Sequence, residues 1–378
     1  MDIPLLAFAL VFALAFANGA NDVSKAIATL VGSGITDYRS AIAWGTVWTM
    51  IGAAVAAFVA RAMVNTFSHG LLQSGTIIEP AATLAVLTGA MAWVLFASRT
   101  GLPVSTTHAL TGAIVGTGFV AFAGDGLIWS AIGKKIALPL LLSPFLALIV
   151  SLIVHPAVRL LAARWEGACV CVMPASRALV SIDAHGGTRT LFQTTSFGSP
   201  VMAVPSQCDR AGLQGLVVGL DTIHWISSGL ASFARGTNDA PKIVAMLLLG
   251  SATAAAWPST SSQLAASGGV ALAMGLGSYF GGLRVTEVLA EKITRMDHSE
   301  GLSANLTTSL LVLVSGTLGL PVSTTHISSS AIIGIGLLKG LNAVRWTTVR
   351  GMVLAWVVTL PASALLACIA YLILTRVL

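Results

Sequence analysis

Charge is what this sequence has least of. Only 9% of its 378 side chains are Asp, Glu, Lys or Arg, against about 25% in a globular protein, and that scarcity excludes a water-soluble fold. The 20 basic and 14 acidic residues leave a formal net charge of +6. It is spread thinly over short loops, which excludes a nucleic-acid binder with its single basic face. Four cysteines exclude a disulfide scaffold. Cys169-x-Cys171 would hold a metal only if Cys208 or His185 folded back onto the pair, so no metal is expected and the thiols are read as free. An acidic residue at position 2, ahead of an apolar run that continues into a polar motif, argues against a signal peptide and for a first true span.

What is present is apolar: 56% hydrophobic residues and a mean hydropathy of +0.89. The apolar runs approach the roughly 20 helical residues needed to cross about 30 Å of hydrocarbon. The expected fold is an all-α polytopic membrane protein of about 10 to 12 segments in the cytoplasmic membrane. Ten segments can be drawn, at 4–34, 40–60, 81–97, 104–123, 136–161, 213–250, 264–282, 304–318, 322–338 and 347–375. Three regions follow: a first membrane repeat (1–163), a central polar cytoplasmic loop (164–212) and a second membrane repeat (213–378). Within the loop, the runs 178–182, 190–194 and 200–204 alternate apolar and polar residues, which suits either a small β-rich element or a loose linker.

The repeat is internal and specific. Phe16-Ala-Asn-Gly-Ala-Asn-Asp-Val-Ser-Lys25 matches Phe233-Ala-Arg-Gly-Thr-Asn-Asp-Ala-Pro-Lys242 at six of ten positions and an offset of 217. Gly101-Leu-Pro-Val-Ser-Thr-Thr-His108 recurs unchanged as Gly319 to His326 at an offset of 218. Two motifs in one order with near-equal offsets mark a duplicated half. Five segments per half place the halves in opposite orientations, the inverted-repeat plan of secondary transporters. Putting the N-terminus outside leaves twelve loop Lys and Arg inside and four (Arg61, Lys134, Lys135, Arg376) outside, so both termini are expected outside. The tally does not decide whether the hairpins carrying the second motif cross or re-enter.

Asp22 and Asp239 lie inside apolar segments, where a carboxylate costs about 2.5 to 3.5 kcal/mol. Lys25 and Lys242, three residues on, share the helical face and can compensate them. Gly19, Gly236 and Pro241 suggest broken helices, whose freed backbone groups line a cavity for an anion and a cation. The hydroxyls of Ser105, Thr106, Thr107 and of Ser323, Thr324, Thr325 follow a proline suited to a first helical turn, chemistry fit for a small oxyanion. His108 and His326 are candidate proton relays. No Ser-His-Asp or metal-ligand set accompanies them, so an enzyme is not expected.

The paired Gly-x-Asn-Asp and Pro-Val-Ser-Thr-Thr-His motifs, split by a polar loop, resemble the PiT family of inorganic phosphate transporters over nearly the whole chain. The resemblance implies a dimeric inverted-repeat transporter that imports phosphate with a proton or sodium as coupling cation and needs no cofactor. It also implies that Asn21, Asp22, Asn238 and Asp239 surround the anion and cation, together with Ser105, Thr106, Thr107, Ser323, Thr324 and Thr325. Where the family usually has asparagine three residues after each Asp, this chain has Lys25 and Lys242, which favours protons. A sister branch carries sulfate, so sulfate or a related tetrahedral oxyanion is the alternative substrate, and a passive anion channel the more remote alternative.

Overall fold

A computed structural model describes residues 3–68, 70–73, 76, 78–162, 169–172, 175–182, 188–196, 200–203, 217–249 and 260–378. Helices dominate. The first half holds α1 (Ile3–Asp22), α2 (Ser24–Gly32), α3 (Tyr38–Val59), α4 (Arg61–Ser68), α5 (Pro80–Thr100), α6 (Thr106–Phe122) and α7 (Leu138–Ala162), the last entered through a π-helical turn at Ile132–Ala137. The second half holds α8 (Leu220–Ala245), α9 (Thr260–Gly281), α10 (Leu283–Glu291), α11 (His298–Thr317), α12 (Thr324–Leu338) and α13 (Trp346–Leu374). Between them, β1 (Cys169–Val172) pairs antiparallel with both β4 (Pro200–Ala203) and β5 (Val217–Val218), and β2 (Ala175–Ile182) pairs with β3 (Thr188–Ser196). The described residues of the loop therefore lie in β-strands. Cys208 and His185 lie outside the described residues.

Among the described residues, six helical stretches are long and apolar enough to cross a membrane: Ile3–Gly32, Tyr38–Val59, Pro80–Thr100, Trp129–Ala162, Ser261–Gly281 and Trp346–Leu374. The outer faces of α7 and α13 fit lipid, with Leu141, Phe145, Ile153, Leu354, Val357 and Leu365 all more than 60% exposed. Helix α8 is absent from that set because it carries Asp221, Arg235, Asp239 and Lys242. Its residues from Gly236 to Ala245 are almost all buried by protein, and a helix sheathed by other helices need not be apolar.

The halves interlock. α1 packs along α9, and α8 along α3, so the leading helix of each half lies on the second long helix of the other. Glycines permit this: a methyl on Gly19 or Gly277 would overlap the Met274 or Phe16 carbonyl, and one on Gly236 or Gly52 the Thr49 or Phe233 carbonyl. Close backbone approach through small residues is how membrane helices gain packing contacts. Gly19 and Gly236 thus serve packing, where the sequence suggested unwinding. The first long segment is interrupted only at Val23, between α1 and α2. The second stays helical through Pro241 and turns 3-10 at Met246–Leu248.

The polar N-termini are capped. Asp37 accepts from Ser40 N at 2.9 Å at the start of α3, and those hydrogen bonds from Ser40 hold its carboxyl below the usual carboxylate range. Asp297 and Glu300 form a capping box on α11.

Candidate functional site

Two hairpin tips meet inside the bundle. Each begins with a left-handed glycine, Gly101 (φ +76°) after α5 and Gly319 (φ +65°) after α11, a conformation that costs glycine nothing. Each then runs extended through a Pro-Val pair to an N-cap serine. Ser105 Oγ accepts from His108 N at 3.3 Å, and Ser323 Oγ from His326 N at 3.1 Å. These two hydroxyls are spent on capping. The tips are joined reciprocally: Thr107 Oγ1 donates to Val322 O at 3.3 Å, and Thr325 Oγ1 to Val104 O at 2.6 Å.

The ends of α1 and α8 flank the joined tips. Asn21 is committed to one of them, donating to Leu102 O at 2.9 Å and accepting from Val104 N at 3.2 Å. Asn238 donates to Asp239 Oδ1 at 2.8 Å and to Val322 O at 3.4 Å. Lys25 pairs with Asp22 and donates to Val104 O at 3.3 Å. Lys242 does the equivalent on the other side, reaching Asp239 Oδ1 at 3.2 Å and Val322 O at 3.1 Å, and also Thr107 Oγ1 at 2.8 Å. Thr324 Oγ1 lies 3.5 Å from Asp22 Oδ2. The residues singled out in the two motifs therefore form one buried cluster. His108 and His326 sit behind it: their rings lie 4.7 Å apart, and His326 also lies 4.2 Å from Trp356 and has Nδ1 3.4 Å from Leu140 O.

Two members are not among the residues singled out. Asn18 Nδ2 reaches Asp22 Oδ2 at 3.1 Å, Thr106 Oγ1 at 3.0 Å and Asp239 Oδ2 at 3.4 Å, so one amide spans both carboxylates. Arg235 holds the repeat-related position on α8 and is 2% exposed. Its Nη2 donates to Thr49 Oγ1 and lies 3.4 Å from Ser278 Oγ, while Nε and Nη1 have no hydrogen-bond partner among the described residues. The signal for both is in the aligned motifs: Asn18 and Arg235 stand opposite each other, four residues before each Asp and so on the same helical face.

The cluster has an electrostatic consequence. Lys25 and Lys242 are ion-paired with Asp22 and Asp239, and Arg235, one helical turn before Asp239, is buried to the same degree with no ion pair among the described residues, three cations against two carboxylates. One excess buried positive charge costs several kcal/mol unless an anion accompanies it. The first turns of α6 and α12 also direct free N–H groups at this place, an anion site by geometry. On the opposite count, Asn18 Oδ1 and Asn238 Oδ1 are buried acceptors without a donor among the described residues, the type of oxygen a hard cation takes.

Comparison with known proteins agrees with this chemistry. A profile of the phosphate transporter family matches residues 18–367. A Pyrococcus horikoshii protein named as a phosphate permease is 28% identical over 97% of this chain and 96% of its own length. A Mycobacterium tuberculosis protein named as a low-affinity inorganic phosphate transporter is 29% identical over 97% of this chain and 77% of its own. A solved structure titled "The sodium-dependent phosphate transporter" has the same fold, with a TM-score of 0.76 and 21% identity over the full length of both chains.

Proposed function

The chain belongs to the phosphate transporter family, and on that premise we propose that it is a secondary active transporter that imports inorganic phosphate across the cytoplasmic membrane with a proton. Its relatives are transporters and not enzymes. The observation that carries the reading is the buried excess of one positive charge, Arg235 one turn before Asp239, beside a place where two helix N-termini and the threonines of both halves converge. A tetrahedral anion supplies the missing negative charge and accepts from hydroxyls and N–H groups.

Phosphate is preferred over sulfate because Asp22 and Asp239 line the same cluster. A protonated phosphate oxygen donates to a carboxylate, whereas sulfate only accepts and is repelled. Transport fits better than a passive pore because the site is closed among buried ion pairs and built equally by two halves, as alternating access between inverted repeats requires. With both termini outside, α5 enters from the side of α4 and α11 from the side of α10. Their tips meet, so both hairpins re-enter on this reading.

The coupling ion follows from Lys25 and Lys242. Each ammonium occupies a carboxylate that a sodium ion would otherwise need, and it offers three donors and no acceptor. A buried lysine can instead give up a proton. Sodium is the second reading, favoured by the two undonated amide oxygens of Asn18 and Asn238.

Proteoliposomes loaded to give a proton gradient without sodium, and then the reverse, test the proposal with labelled phosphate. Uphill accumulation driven by protons alone, and competed poorly by excess sulfate, is expected. Strict sodium dependence would move the reading to sodium coupling, equal competition by sulfate would remove the phosphate preference, and equilibration without accumulation would leave a channel.

A further inference from the structure

A cavity of about 420 Å³ opens between the last turns of α3, the short helix α4, the end of α8 and the start of α9. At about 30 Å³ per water it holds on the order of ten waters, enough for a small anion with part of its hydration shell. Its lining includes Ala240 and Pro241, the two residues that separate Asp239 from Lys242 in the chain. Among its lining residues are Arg61, Asn65 and Gln263, and none is acidic. Arg61 is exposed and forms no ion pair with a carboxylate among the described residues. A low-dielectric wall around one unpaired guanidinium raises the local concentration of anions.

The repeat explains why this place is open. Gly52 and Gly277 make matching close contacts with Phe233 and Phe16, so α3 and α9 correspond at an offset of 225. Ala57 then corresponds to Gly282, and Ala240 to Val23. In the second seam the corresponding surfaces touch: a methyl on Gly282 would overlap Val23 Cγ1, and one on Gly281 would overlap Ala20 Cβ. In the first seam Ala57 and Ala240 both line the cavity. The first seam is open as far as Ala240, whereas its repeat-related partner is closed at Val23 and Gly282 and opens only farther out, where Val31, Gly32 and Ala290 line a cavity of about 530 Å³.

We propose that this cavity is an entry vestibule and a second, outer binding site for the oxyanion. Arg61 draws the hydrated anion in, and the route passes Ala240 and Pro241 to the Asp22–Asp239 cluster while the Val23–Gly282 seam is closed. With both termini outside, the vestibule faces outward. The inference rests on the reading of the chain as a phosphate transporter.

Two measurements test it in proteoliposomes. In the otherwise native chain at low ionic strength, Arg61→Gln raises the half-saturation concentration for phosphate by on the order of threefold or more, Arg61→Lys restores it, and the difference shrinks near 0.1 M salt as screening sets in. In a chain with its four cysteines changed to serine, Ala57→Cys reacts with a membrane-impermeant cationic thiol reagent. That reaction blocks uptake and is slowed by inorganic phosphate. A wild-type half-saturation concentration in Arg61→Gln, or uptake indifferent to modification at position 57, overturns the vestibule. Failure of the wild-type chain itself to accumulate phosphate would instead remove the transporter reading beneath it.

Discussion

Asn18 Nδ2 lies 3.1 Å from Asp22 Oδ2 and 3.4 Å from Asp239 Oδ2, so a single amide on the first half holds the carboxylates of both halves together. The two aspartates are one unit rather than two copies of a site. Changing either to asparagine removes half of the negative charge that balances three buried cations. Asp22→Asn and Asp239→Asn are each expected to reduce phosphate accumulation to background when uptake is normalised to the amount of inserted protein, the normalisation being needed because the lost carboxylate also leaves a buried ammonium unpaired and lowers stability. Wild-type uptake by either variant would take the motif out of the mechanism.

Arg235 supplies the excess charge and keeps two donor atoms without partners among the described residues. Arg235→Lys retains the charge but not the fork of donors, and Arg235→Gln loses both. Uptake is expected to fall in the order wild type, Lys, Gln, with the Gln variant at least tenfold below wild type; one lost charge-assisted hydrogen bond, at about 1.5 to 3 kcal/mol, amounts to roughly that factor or more. Equal activity of the Gln variant would assign Arg235 to packing against Thr49 and Ser278.

How much of this is legible in the sequence follows from what kind of signal each element sends. The duplicated motifs and long apolar runs can be read directly, because hydrocarbon demands continuous apolar helix and exact repetition is improbable by chance. The helices α4 and α10 cannot: they have eight and nine residues, are amphipathic, and follow a span without a strong break. The glycines mislead, since a residue without a side chain suits an unwound turn and a tight helix crossing equally, and only the Met274 and Thr49 carbonyls above them decide. Asn18 and Arg235 are hidden for another reason. They differ between the repeats, and a comparison that looks for identity passes over the position where the two halves diverge.

That crossing makes a stability prediction. Gly19→Ala and Gly236→Ala place a methyl against a backbone carbonyl that cannot move without shifting α9 or α3. Overpacking of this type costs roughly 1 to 3 kcal/mol. Both variants are expected to melt at lower temperature in detergent than wild type, while Gly351→Ala, which meets nothing within 4 Å, melts as wild type does. Unchanged melting of the first two would mean that the helices are not in close contact there.

At the start of α11, Asp297 accepts from Glu300 N and Ser299 Oγ, both at 2.8 Å. Burial pushes its carboxyl up, yet these hydrogen bonds win and hold it below the usual range. A depressed folded value means that the cap stabilises fully above the unfolded value of about 3.9 and is lost as pH falls through the lower folded one. Asp297→Ala is expected to cost about 1 kcal/mol. The melting gap to wild type should be constant from pH 7 to 5 and should close only below about pH 4. A gap that closes near neutrality would point to a histidine instead.

Lys25 and Lys242 bear on the coupling ion most directly. Each ammonium already sits on an Asp and on the carbonyl of the facing or adjoining hairpin tip, Val104 O or Val322 O. A sodium ion at either place would have to displace it. Replacing the ammonium with an amide reverses the chemistry: the carboxylate is freed, one neutral oxygen is added, and the undonated oxygen of Asn18 or Asn238 is close at hand. Lys25→Asn and Lys242→Asn are therefore expected to lose proton-driven uptake and to acquire stimulation by sodium, read as labelled phosphate uptake with and without an imposed sodium gradient. The single substitutions also shift the buried balance from three cations against two carboxylates to two against two, so a cation entering with the anion becomes necessary rather than optional. Sodium stimulation in the wild-type chain equal to that in the variants would mean that the lysines swing away during transport and leave the carboxylates to the ion.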